Sequence, residues 1–156
     1  MQNYIKSQTR LAFIQYIFQN EFLKIDSLES IDDFQKHFYD TNIAIIDEKK
    51  KFRLKFNKNF LNKLFSSFKN NIDKKNIIDD LNDFIDINRK FEKWDNILKS
   101  IMFAIIAELL ITEKNKFKIV FNDYLNISKS LVSQKETKLI NAIIQKYIDK
   151  NEINKK

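Results

Sequence analysis

Between Lys99 and Lys150 the chain runs through successive helical patterns separated by short polar breaks, each with a wide apolar face. Residues Ile101 to Ile111 are almost all apolar, with Glu108 the one carboxylate among them. A segment apolar on every side is expected to be a central helix that others cover. Ile119, Val120, Tyr124, Ile127, Ser128 and Leu131 return at steps of three and four residues, as do Leu139, Ile140, Ile143, Ile144, Tyr147 and Ile148. That spacing predicts two amphipathic helices flanking the central one.

Upstream, the pattern predicts a helix over residues 5 to 23, with Ile5, Ala12, Phe13, Tyr16, Ile17 and Phe22 on one side and Lys6 and Arg10 near its start. A short helix is expected from Leu28 to Tyr39, capped by Ser27 or Ser30. Thr41 to Asp47 has strand propensity but no evident partner, so it reads as a connector. Lys49 to Lys63 interleaves Phe52, Phe56 and Phe60 with lysines. Such interleaving can stack bases. On a helix, though, aromatics four apart form a core face, with Lys51, Lys55 and Lys58 on the solvated side, and that is the simpler expectation. Leu61, Leu64, Phe65 and Phe68 continue the face to Asn70-Asn71. Asp73 to Ile87 predicts a further helix, and Arg89 to Lys99 leads into the central one with Phe91, Trp94, Ile97 and Leu98 inward.

Composition sharpens this picture. The 156 residues include no Gly, Pro or Cys. Without the usual turn and bulge residues, helices joined by Asn, Asp, Ser and Lys linkers are the expected result. The lack of Cys excludes a disulfide scaffold and a thiolate metal site, and accords with a reducing compartment. The formal net charge of +7 and pI near 9.4 suit a polyanion partner, because cations that neutralise phosphates release counterions. Lysine enrichment from AT-rich codons gives the same charge. The longest apolar run is far shorter than the ~20 residues of a membrane span, and the N-terminus lacks the pattern of a secretion signal. A soluble cytoplasmic protein is expected.

Several residues are candidates for chemistry. His37 is the single histidine, and without a second His or Cys it is expected to pack or face solvent, not bind metal. Asp79, Asp80 and Asp83 have the spacing of a magnesium-diphosphate motif in helical prenyl-transferring enzymes. Those enzymes need a second such element, which is absent, so a solvated acidic face is expected. Glu108 could be a perturbed carboxylate, but it has no evident catalytic partner, and a bond to backbone amides at a neighbouring helix start is expected. Asn122, Asp123 and Asn141 are expected to bond between helices. Neither a cofactor nor a metal is implied.

The order E-L-L at Glu108 to Leu110, F-K-I-V-F-N-D at Phe117 to Asp123, and K-L-I-N-A-I-I-Q-K at Lys138 to Lys146 resembles the C-terminal half of the NusB family of bacterial transcription antitermination factors. That family runs approximately Y-E-L-L, P-Y-K-V-V-I-N-E, K-F-V-N-G-V-L-D-K with the same spacing. Ile14 to Phe18 also fits the family's A-x-Q-x-L-Y. The resemblance implies an RNA-binding protein, not an enzyme. It would pair with the small-subunit ribosomal protein NusE, recognise the boxA segment of ribosomal RNA leaders, and act in an RNA polymerase antitermination complex. It places RNA contacts at Lys6, Arg10, Lys118, Lys135 and Lys138, and partner contacts around Glu92, Trp94 and Phe103. The chain departs from the family at several places, Trp94 and Ala142, the latter where the family has a glycine, among them. The arginine-rich start is reduced to Lys6, Ser7, Gln8 and Arg10, Leu139 replaces an RNA-contacting aromatic, and Phe103 replaces an arginine.

The expectation is therefore an all-α domain of about seven helices in two small bundles sharing the central helix. Residues 1–70 would form the N-terminal bundle, 71–150 the C-terminal bundle, and 151–156 a basic tail. A helical protein-interaction module with weakened RNA binding is the alternative. Monomer and homodimer are both open.

Overall fold

The computed structural model describes residues 2–23, 44–47, 50–52, 56–85 and 90–150. Helix α1 spans Asn3–Ile17 and continues into a π-helical turn, Phe18–Leu23. Strands β1 (Ala44–Asp47) and β2 (Lys50–Phe52) pair antiparallel, with an irregularity between Ile45 and Asp47. Helices α2 (Lys58–Asn71) and α3 (Lys74–Asn82) follow, then a 3-10 turn at Phe91–Lys93. Helix α4 spans Asn96–Leu109. After a 3-10 turn at Lys114–Lys116 come α5 (Phe117–Ser128) and α6 (Gln134–Lys150). The fold is all-α, with six α-helices and one short hairpin among the described residues. The helix expected at Leu28–Tyr39, His37 and the tail 151–156 lie outside those residues.

Side chains cap three of these helices. Asn57 starts α2 by accepting from the Phe60 N–H at 2.8 Å, and Asp73 starts α3 by accepting from Asn76. Ser133 and Glu136 form a reciprocal capping box before α6, each accepting from the other's backbone N–H at 3.1 Å. The two elements at 44–52 differ from expectation. Thr41–Asp47 was expected to be a connector and Lys49 onward a helix, yet Ala44–Asp47 finds its strand partner in Lys50–Phe52 and α2 begins only at Lys58. β-branched Ile45 and Ile46 favour the extended state, and Asn57 caps α2 at its start. Phe56 and Phe60 still pack on the core, while Lys58 is exposed.

Every residue from Ser100 to Leu109 is buried. Helix α4 packs against α1, α2, α5 and α6, so its lack of a polar side follows from its neighbours. The apolar run ends sharply, since Leu110 and Ile111 are about half exposed. Phe13, Phe68, Phe103 and Phe91 form an edge-to-face series through the core, with centroids 5.6–6.3 Å apart. Among the stripe positions Ile119 is an exception, because it is 70% exposed while Val120, Phe121 and Tyr124 are buried.

Candidate nucleic-acid interface

Arg10 sits on α1 at a position 6% exposed. Its Nε donates to both carboxylate oxygens of Glu108 on α4, at 2.9 and 3.1 Å, and one terminal nitrogen donates to Glu108 at 2.7 Å. The other terminal nitrogen donates to Asp123 on α5 at 2.6 Å. The guanidinium also lies over the rings of Phe60 and Tyr124. Tyr124 donates its hydroxyl to Glu108 at 2.8 Å, and Ser7 donates to Asp123 at 2.6 Å. One buried network thus ties α1 to both α4 and α5.

Burial opposes the charged guanidinium, but the hydrogen bonds and charge of Glu108, with Tyr124 and Asp123, more than offset it and hold the Arg10 pKa above its ordinary value. Burial first, and then the negative charge of Glu108, push the Tyr124 hydroxyl well above the usual phenol range. Arg10 is therefore not the phosphate contact expected from the sequence, since a phosphate would have to displace carboxylates already in place. Glu108 is fixed by a guanidinium and a phenol, not by backbone amides. Asp123 does bond between helices. Asn122 and Asn141, for which the same was expected, face solvent.

The remaining cations are on the surface. Lys118, Lys135 and Lys138 are exposed and Lys6 is half-exposed. Asn122, Leu125, Asn126 and Lys129 on the α5 side, with Thr137, Lys138 and Asn141 on α6, line an open groove of about 370 Å³. Asp79 and Asp83 are exposed, as expected of a solvated acidic face. Asp80 and Asp83 accept from Lys150 at 3.3 and 3.0 Å, joining α3 to the end of α6. Among the described residues no group of three or more His, Cys, Asp or Glu could hold a metal ion. None of the described helices is long and apolar enough to cross a membrane.

The expected partner residues separate. Glu92 is exposed; its side chain accepts from Asn82 at 2.7 Å and its carbonyl accepts from Lys99 at 2.6 Å. The Asn82 bond, a backbone bond and the nearby Lys90 and Lys99 hold its carboxyl below the usual range. Trp94 is 9% exposed and rests on Phe91 at 5.2 Å. Phe103 is 3% exposed, inside the core between Phe68 and Phe91. Phe103 is thus a core residue, because burying its ring among apolar neighbours removes it from water.

These features define an all-α domain with a shared central helix and a polar, cation-bearing groove between its last two helices. The model of the NusB family matches residues 7–149, and the chain belongs to that family. The transcription antitermination protein NusB of Rickettsia conorii is 26% identical over 145 residues, 90% of this chain and 89% of its own length. That of Rickettsia massiliae matches at the same level, and that of Rickettsia felis is 25% identical over 150 residues, 94% and 92% of the two chains. No solved structure matches.

Proposed function

We propose that this chain is a transcription antitermination factor that holds the boxA segment of ribosomal RNA leaders together with the ribosomal protein NusE, in the cytoplasmic antitermination complex of RNA polymerase. The observation that carries the reading is the family match along residues 7–149. The mechanism is binding. Exposed Lys118, Lys135 and Lys138, with Lys6 at the start of α1, supply phosphate contacts that set the register of the strand. Arg10 takes no part in those contacts; its buried network fixes α1 on α5 beneath them. NusE docks around Glu92, whose carboxylate is exposed at the surface.

Filter binding to boxA RNA and to a scrambled strand, at two salt concentrations with and without NusE, tests the reading. The expected result is a preference for boxA that NusE strengthens. Sequence-blind adhesion that disappears with salt would contradict it. The burial of Arg10 and the half-buried aliphatic Leu139 favour a second reading, a protein-interaction module. Its signature would be tight NusE binding with no boxA preference.

A further inference from the structure

The short turn at Phe91–Lys93 is pinned from three directions. On the core side, Phe91 is 1% exposed, with the Trp94 and Phe103 rings against it at 5.2 and 5.6 Å, so the backbone beside Glu92 is anchored. From α4, Lys99 donates to the Glu92 carbonyl at 2.6 Å while its ammonium lies over the Phe22 ring. From the last position of α3, Asn82 uses both ends of its amide: the oxygen accepts from the Phe91 N–H at 2.8 Å and the nitrogen donates to Glu92 Oε1 at 2.7 Å. The first of these bonds satisfies a backbone group beside the core. The second is not needed for burial, because both of its groups stand at the surface, where water would satisfy either one. Its consequence is orientation. An exposed glutamate ordinarily samples many rotamers, and this one is held at its carboxylate by Asn82 and at its carbonyl by Lys99.

We propose that Asn82 is a positioning residue for partner docking, its amide presenting the Glu92 carboxylate in one orientation before the partner arrives. The inference rests on the reading of Glu92 as a partner contact. A side chain already ordered loses little freedom on binding, so more of the contact it makes appears as affinity. A contact braced by a supporting hydrogen bond from a helix is also more precise than one made by a free surface side chain. Here the braces come from α3 and α4, which flank the turn in sequence. Asn82 itself need not touch the partner, since it is half-buried and its amide is spent on the turn.

Isothermal titration calorimetry of purified NusE against the full chain tests this, as a double-mutant cycle between Asn82→Ala and Glu92→Ala. Asn82→Ala should weaken binding roughly 2- to 10-fold, the cost of ordering one rotamer-rich side chain, and should add no further loss in the Glu92→Ala background. Carboxyl titration followed by NMR supplies a readout that a merely structural role would not move. The Asn82 bond is the largest influence holding the Glu92 carboxyl below its usual range, so Asn82→Ala should bring that titration up. Should Asn82→Ala fail to fold by circular dichroism, Asn82→Asp takes its place, because it keeps an acceptor for the Phe91 N–H and, when ionised, cannot donate to Glu92. Equal losses in the two backgrounds, no loss with Glu92 present, or a Glu92 titration that stays where it was would overturn the positioning role of Asn82 and leave Glu92 as a contact. Absence of NusE binding to the wild type, or binding that Glu92→Ala does not weaken, would overturn the docking reading itself and the positioning role with it.

Discussion

Replacing Arg10 with Met removes the cation at the centre of the buried network and keeps much of its length. Glu108, 3% exposed, would then have the Tyr124 hydroxyl as its remaining side-chain donor. Breaking a buried ion pair by removing one partner costs roughly 3–5 kcal/mol, because a charge stays buried without compensation. For a domain of this size that is a fall in Tm of roughly 6–20 °C, at ~2–4 °C per kcal/mol. Removing both charges has a different outcome. Arg10→Met/Glu108→Leu leaves no orphan charge on α4, so its stability should return to within about 1–2 kcal/mol of wild type. Urea unfolding suits the measurement, followed by far-UV circular dichroism and by the fluorescence of Trp94, the single tryptophan. Urea is uncharged, and added salt should scarcely alter the result, because a pair this deeply buried is poorly screened. The reasoning is refuted if Arg10→Met costs less than about 1 kcal/mol, or if the double variant is less stable than either single one.

The Tyr124 hydroxyl, raised by burial, keeps its proton in the folded state while an unfolded tyrosine ionises near 10. Stability should therefore be flat below that pH and fall as pH rises through and above it; urea midpoints from pH 8 to 11 check this, and Tyr124→Phe should flatten the fall. Ser133→Ala removes the capping box of α6 and should cost about 1 kcal/mol, read as a lower urea midpoint with an unchanged slope. Phe103→Ala should cost about 3–5 kcal/mol as a core truncation. A stable Phe103→Ala protein with selectively lost partner binding would instead return Phe103 to the surface.

The parts of this fold legible in the sequence are those with strong local signals. An apolar run interrupted by Glu108 alone gave the buried course of α4, and periodic stripes gave α5 and α6, because those patterns leave one way to hide apolar surface. The 44–52 hairpin was half legible, since residues 41–47 had strand propensity, while aromatics four apart among the lysines after Lys49 suit a helix until a pairing partner decides. Arg10 was hidden for a different reason. Its partner Glu108 lies 98 residues away, and no periodicity announces such a contact, although an arginine in an apolar stripe and a carboxylate in an apolar run were each visible. Trp94 turned inward as its apolar pattern predicted, whereas Phe103, read as a partner position, is shown by packing to belong to the core. Lys118, Lys135 and Lys138 are exposed, and exposure alone does not separate selective RNA binding from general attraction.

The central claim is that this surface joins a ribosomal protein to a strand of RNA. Size-exclusion chromatography with light scattering, on the chain mixed with NusE and boxA RNA, tests it most directly. An equimolar ternary complex that withstands physiological salt is the predicted result. Separate elution of the chain from NusE, with or without the RNA, would contradict the account.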